Sequence, residues 1–350
     1  MRVRVVGSAK IIRELGRGAM GVVYEAEQVE LERRVAVKEL TPSGRNREEL
    51  VERFRREGVA YARLHHENIL QVHDFVEKND SVYLVIEYVD GADAQKVLKA
   101  GGPIPPHLVA AIGSKIAAGL AHAHEAKLLH RDVKPANVLL GATGVVKLTD
   151  FGVVKDLEAS DLTRDGMVVG SLPYMAPEIL SSGEYGAQSE LWALGVMLYE
   201  LATGSRPFAG KDDSSLIASI VKGDHMHVRK RALTMNRRLG RAIERCLARR
   251  PSKRWPHALV LAHELEACFL ELSNGHTARD EIARMLRSRG FKPERPEEEA
   301  HTRVDPKAMH ETDMDRTPVP VRDNETKWIA LVLLISAAIA ISGFWLFGGK

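Results

Sequence analysis

Up to Val89 the chain sets short β-forming runs around one amphipathic stretch. Val35-Ala36-Val37 and Val82-Tyr83-Leu84-Val85-Ile86-Glu87-Tyr88-Val89 are dense in β-branched and aromatic residues, and the second breaks at Asp90-Gly91. Both read as strands. Between them, Glu48 to Leu64 places Leu50, Phe54 and Ala62 at helical spacing amid charges, with Glu48, Glu49 and Glu52 on the solvated face. From Pro105 the pattern turns helical: Val109 to His124 is apolar with small residues, and Trp192 to Leu201 has the density of a helix buried on all sides. Ala278 to Leu286 is a short amphipathic helix. Lys292 to Lys327 bears prolines and charges of both signs, with few large apolar residues, and reads as a flexible linker. Trp328 to Phe347 then runs for 20 residues without a charge. A helix of that length spans about 30 Å, the bilayer hydrocarbon thickness. The alternative, a buried soluble helix, lacks an evident core to enter.

Composition changes this picture little. A chain of 350 residues holds one large domain or two lobes with appendages, and 45% apolar content is ample for a core. A net charge of +3 gives no reason to invoke nucleic acid. The two cysteines, Cys246 and Cys268, make no metal-ligand spacing and read as buried thiols in a reducing compartment. Met1 to Leu15 alternates basic and apolar residues and lacks the apolar core of a signal peptide.

The chemistry concentrates in His130-Arg131-Asp132-Val133-Lys134-Pro135-Ala136-Asn137, just ahead of the apolar run Val138-Leu139-Leu140. In a short loop this spacing gathers a carboxylate, an ammonium and an amide around one small volume. Such a set suits phosphoryl transfer: the acid orients an attacking hydroxyl, the lysine steadies the migrating group and the amide carbonyl ligates Mg²⁺. Asp150, in Asp150-Phe151-Gly152, follows a β-forming run and is a second metal ligand. Upstream, Gly16-Arg17-Gly18-Ala19-Met20-Gly21 is weak evidence alone. Val22, Val23 and Tyr24 follow it, so a strand rather than the helix of a dinucleotide crossover succeeds the turn. A glycine flap between strands lets backbone N–H groups approach phosphates. Lys38 closes the next strand.

Taken together, these motifs resemble the protein-kinase family, in its serine/threonine branch, since Lys134 stands two positions after Asp132. The resemblance covers about residues 10–272 and is closest to bacterial Hanks-type kinases. It implies an α+β, two-lobed fold: a β-rich N-lobe over 10–89 and a helical C-lobe over 90–272. A helical extension follows over 273–291, then a juxtamembrane linker over 292–327 and a transmembrane helix over 328–347. It further implies ATP and Mg²⁺ as cofactors. Leu15, Gly16, Gly18 and Gly21 would cover the nucleotide. Val23, Ala36 and Leu139 would sandwich the adenine, the backbone of Glu87 and Val89 would bond its edge beside the gatekeeper Ile86, and Asp93 would lie near the ribose. Lys38, paired with Glu57, would hold the α- and β-phosphates, with Asn137 and Asp150 on the metal. Asp132 and Lys134 would act at the acceptor hydroxyl. Tyr61 and Val72 would stack with His130 and Phe151. Arg254 would pair with Glu178 of Ala176-Pro177-Glu178.

Within the activation segment Thr163, then Ser160, are the expected phosphosites, facing Arg131. Ser171 stands where the family more often has Thr, its hydroxyl kept. Glu190 stands where the family usually has Asp, and its extra methylene is expected to displace the oxygens that support the catalytic loop. Thr302 and Thr312 each precede an Asp by three positions, a spacing similar to phosphothreonine motifs, although chance explains it in so Thr- and Asp-rich a stretch. The expected protein is a single-pass kinase of the cell membrane with its catalytic domain in the cytoplasm, acting on protein Ser/Thr hydroxyls. Ser336 with Ala340 and Ala338 with Ser342 give the small-xxx-small spacing of helix pairs, hence a homodimer that phosphorylates in trans. A pseudokinase scaffold would have lost Lys38, Asp132, Asn137 or Asp150, and all are kept. A small-molecule phosphotransferase would not need the full activation segment, and a tyrosine kinase would lack Lys134.

Overall fold

The β-forming runs of the N-terminal part pair into one antiparallel sheet of six strands, in the order β1-β2-β3-β4-β6-β5. Its strands are β1 (Val5–Val6), β2 (Ala9–Gly18), β3 (Gly21–Gln28), β4 (Arg33–Leu40), β5 (Val72–Lys78) and β6 (Ser81–Glu87). The computed structural model describes residues 4–18, 21–40, 47–78, 81–151 and 171–294, except for the side chains of 47–50, 53 and 57. Period-two alternation gives the sheet two faces. Val35, Val37, Tyr83 and Val85 pack with Val6, Ala9 and Ala26 on one. Leu40, Val82 and Leu84 pack on the other against Val51 and Phe54 of helix α1 (Arg47–Ala62). The expected strand to Val89 ends at Glu87, the last residue with a ladder partner, Val35. Tyr88 to Asp90 then lead into a second sheet, β7 (Gly91–Asp93), β8 (Val138–Gly141) and β9 (Val146–Leu148).

The larger lobe is helical. Its helices are α2 (Ala94–Gly101), α3 (Pro106–Glu125), α4 (Pro177–Ser182), α5 (Ala187–Thr203), α6 (Asp213–Lys222), α7 (Val228–Arg231), α8 (Arg237–Cys246), α9 (Ala258–Leu272) and α10 (Ala278–Ser288). From Ser189 to Tyr199 every residue of α5 is buried, which its all-round apolar sequence requires. Helix α10 does pack back, placing Ile282, Met285 and Leu286 in the large core. Cys246 and Cys268 are free and buried, and burial pushes both thiols up to about 12. Among the described residues no helix is long and apolar enough to cross a membrane. The segment Trp328 to Phe347 lies outside the described residues, as do Thr302, Thr312 and the linker beyond Glu294.

Close helix approach in this core depends on Gly113 of α3. A Cβ there would meet Leu198 Cδ2 at 2.8 Å and Leu265 Cδ1 at 3.0 Å. Gly113→Val is therefore expected to destabilise the fold by about 1–3 kcal/mol through overpacking. A urea titration checks this, through a lower midpoint with an unchanged slope.

Candidate active site

The loop 130–137 joins α3 to β8, and buried polar groups fix it from both sides. His130 is fully buried; its Nε2–H donates to Thr149 O at 2.9 Å, and its Nδ1 accepts Asp132 N–H at 3.2 Å. Burial lowers its pKa, which suits the neutral tautomer these bonds require. Its ring lies 4.5 Å from that of Phe151, which in turn lies 4.9 Å from Tyr61, so three members of the expected column are in contact. Val72 packs against the α1-facing cluster of the small lobe.

Arg131 adopts φ +65°, in the left-handed region that costs a side-chain-bearing residue free energy. The constraint that holds it is Glu190, fully buried in the first turn of α5. Its Oε1 accepts Arg131 N–H at 2.6 Å and the Tyr185 hydroxyl at 3.1 Å, while His124 Nε2 meets Oε2 at 2.6 Å. Burial, and next the Glu190 carboxylate, raise the Tyr185 pKa well above its usual value, so this hydroxyl stays a donor. The expectation that the longer side chain moves the oxygens off the loop is thus corrected. The extra methylene is taken up between α5 and the last turn of α3, where His124 bonds the second oxygen.

Around Asp132 the loop draws three side chains together. Asn137 Nδ2 donates to Asp132 O at 2.8 Å and to Oδ2 at 2.9 Å, Lys134 Nζ lies 2.8 Å from Oδ2, and Ser171 Oγ donates to Oδ1 at 2.8 Å. Lys134 Nζ also donates to Ser171 Oγ at 3.2 Å. Ser171 thereby ties the end of the activation segment to the acid. Beyond it, Arg254, only 2% exposed, clamps Glu178 with two bonds of 2.7 and 2.8 Å.

Across the cleft, Lys38 Nζ lies 2.5 Å from Asp150 Oδ1. Lys38 stands opposite Val23 and Leu84 in the ladder, and Ala36 opposite Ile86, so these residues share one face of the sheet. Glu57 sits on α1, but its side chain lies outside the described residues, and Asp150 is the partner seen for Lys38. Gly18 pairs with Gly21 to close the flap. Gly21 has φ +130°, and a Cβ there would lie 1.9 Å from Glu39 O, so glycine is required. Leu15 and Gly16 are exposed along this flap. In the hinge, Glu87 N–H donates to Gln71 O at 2.9 Å, so this amide is already committed within the protein. Asp93 caps α2 through Lys96 N–H at 2.8 Å, and it stands opposite Leu139 in the second sheet. Thr163 and Ser160 lie outside the described residues.

The donor set fits a hard cation. With its amide nitrogen committed to Asp132, Asn137 offers its carbonyl oxygen, and Asp150 offers a carboxylate. Among the described residues no group of three or more His, Cys, Asp or Glu makes a metal cage. Two protein oxygens, completed by phosphates and water, are how Mg²⁺ is usually held beside a nucleotide. His124, Tyr185 and Lys147, whose Nζ lies 2.8 Å from the Glu87 carboxylate, were not legible as site residues. For His124 the one available signal was its place in the last turn of the helix leading into the loop.

A family profile for the protein kinase domain matches residues 9–265. The chain is similar to the serine/threonine-protein kinase PrkC of Bacillus subtilis, 34% identical over 264 residues. That match takes in 75% of this chain but only 40% of PrkC. Among solved structures, Rad53 in complex with AMP-PNP aligns with a TM-score of 0.63 and 26% identity, over 75% of this chain and 65% of that one. The kinase domain of Mycobacterium tuberculosis PknI aligns with a TM-score of 0.58 and 28% identity, over 75% of this chain and 96% of that one.

Shortening Glu190 takes one carboxylate oxygen out of reach of either the Arg131 amide or His124. Glu190→Asp is therefore expected to weaken this chain although it restores the commoner residue. The expected loss is about 1–3 kcal/mol, the cost of a buried donor left unmatched. Chemical denaturation measures that loss, and steady-state kinetics should show a lower kcat.

Proposed function

This chain belongs to the protein kinase family, in its bacterial Hanks-type serine/threonine branch, and from that membership we propose that it transfers the ATP γ-phosphoryl group to Ser and Thr hydroxyls of proteins. The observation that carries the reading is the joint seating of Asp132, Lys134, Asn137 and Ser171 beside the Lys38–Asp150 contact. ATP with Mg²⁺, when bound, supplies the transferable group and the charge that neutralises its phosphates.

The residues divide the work by position. Asp132 holds the acceptor hydroxyl and takes its proton. Its carboxylate is oriented by Asn137, Lys134 and Ser171 before a substrate arrives, so little reorganisation is needed in the reaction. Lys134, within reach of both Asp132 and Ser171, places a positive charge where negative charge develops on the migrating group. Lys38 would position the α- and β-phosphates, and the Asn137 carbonyl with the Asp150 carboxylate would hold the metal. Ser171 and the Glu178–Arg254 clamp support a platform for an extended peptide, which favours protein over small-molecule acceptors. Thr163 and Ser160 are proposed as sites of self-phosphorylation.

We further propose that Trp328 to Phe347 tethers the kinase as a single span, with the catalytic domain in the cytoplasm where ATP is available and with pairing through the Ser336/Ala340 face. The uncharged length of the segment and the flanking Arg322 and Lys327 support this. In cell fractionation, deletion of Trp328 to Lys350 should move the protein from the membrane to the soluble fraction.

With labelled ATP and Mg²⁺, the purified full chain should phosphorylate itself and generic Ser/Thr substrates. Asp132→Asn is expected to cut transfer by a factor on the order of 10² to 10⁴ while nucleotide affinity is largely kept. Lys38→Met serves as the inactive control for mass-spectrometric mapping of Thr163 and Ser160. Undiminished transfer by Asp132→Asn would overturn the role given to this acid.

A further inference from the structure

The family match stops at residue 265, yet the chain folds on through α10 and reaches the hinge at Glu294. After α10, Arg289 reaches three backbone carbonyls around the end of α2. Its Nη1 donates to Val97 O and Gly102 O, and its Nη2 to Pro103 O, each at 2.9 Å. Five residues on, Glu294 N–H donates to Asp90 Oδ2 at 2.7 Å, on the segment joining the two lobes. The Glu294 carboxylate then meets the small lobe: Oε1 accepts from Arg13 of β2 at 2.5 Å and Oε2 from Arg34 of β4 at 2.6 Å. One residue thus touches both the segment joining the lobes and the small-lobe sheet.

The N-lobe side of this contact is incomplete without Glu294. Arg13 and Arg34 both face Glu25, a nearly buried carboxylate of β3, at 2.8 and 2.5 Å. Two guanidiniums on one carboxylate leave a positive charge over, and Glu294 closes the four groups into a ring of alternating sign. Arg34 also lies 4.0 Å over the ring of Tyr88 in the hinge. The bonds from Arg34 hold the Glu294 pKa below the usual range, so the ring is charged at neutral pH. Exposed ion pairs contribute little stability singly, about 0–1 kcal/mol. What this ring supplies is orientation, since it joins three strands to a tail anchored on the larger lobe.

We propose that residues 289–294 form a strap across the hinge, with Glu294 a positioning residue that fixes the N-lobe over the nucleotide cleft. The kinetic part of this proposal rests on reading the cleft as an ATP site. The strap lies beyond the residues that the family profile matches. It also places the start of the C-terminal linker at the hinge.

Three variants of the full chain test it: Glu294→Ala, Arg13→Ala and the pair together. Glu294→Ala should raise KM for ATP about three- to tenfold, as expected for loss of one or two oriented contacts. Its kcat should stay within about twofold, because the catalytic loop is untouched. Hydrogen exchange at amides 86–91 should quicken in the absence of nucleotide. The double variant should be no worse than Glu294→Ala, since both changes open one ring. Unchanged KM together with unchanged hinge exchange would overturn the strap, and so would a lower melting temperature with neither change. Should the wild-type chain fail to bind ATP, the ATP reading falls, while hinge exchange still decides for or against the strap.

Discussion

The catalytic loop depends on a buried carboxylate that never meets a substrate. Glu190 sits with no exposure at the start of the central helix α5 and bonds a backbone amide, a tyrosine hydroxyl and an imidazole. An unpaired carboxylate at that depth would be prohibitively costly, so its donors must stay in place while the fold is intact. One of them is the Arg131 amide, whose residue is held in a left-handed conformation it would otherwise leave. The positions of Asp132, Lys134 and Asn137 follow within a few bonds. The apolar burial of α5 thus reaches the reacting groups through one side chain.

A second constraint works on the scale of lobes. The loop before β5 pairs with the larger lobe: Ile69 bridges Leu148, and Asn68 Nδ2 donates to Val146 O at 3.1 Å. Lys147 of β9 reaches Glu87 at the end of β6. At the hinge itself Glu294 bonds Asp90 and meets Arg13 and Arg34 of the small lobe. The small lobe therefore meets the large one at several points besides the hinge backbone. The residues that make these contacts are far apart in sequence.

This division explains what could be read from the chain. Motif spacings were legible because short loops hold their residues close whatever surrounds them: Asp132 and Asn137 are five apart and in contact, and Gly18 and Gly21 close one flap. The lobes were legible because period-two and all-apolar runs leave little choice of element. The Glu178–Arg254 pair was reached only through family resemblance, as nothing local links residues so far apart. The end of β6 was misplaced because Tyr88 and Val89 are good strand formers, and the ladder stops there for want of a partner rather than of propensity. Glu190 was misjudged for a related reason. Counting methylenes along one side chain says nothing about a histidine waiting on another helix.

The same reasoning bears on how a loop and a lobe together make a catalyst. Asp132 is preorganised by bonds within 2.8–2.9 Å to its own loop and to Ser171, and that order survives any modest rotation of the small lobe. Lys38 has no such independence. It rides on β4, and its distance to Asp150 changes with every degree of lobe rotation. Phosphoryl transfer needs both sets aligned at once, because its barrier is lowered mainly by positioning and by charges already in place. The chemical half of the site can therefore be complete in a molecule whose nucleotide half is not. Any influence acting on the hinge, from the tail or from whatever the tail is fastened to, would be felt first by Lys38 and the flap. Asp132 would feel it last.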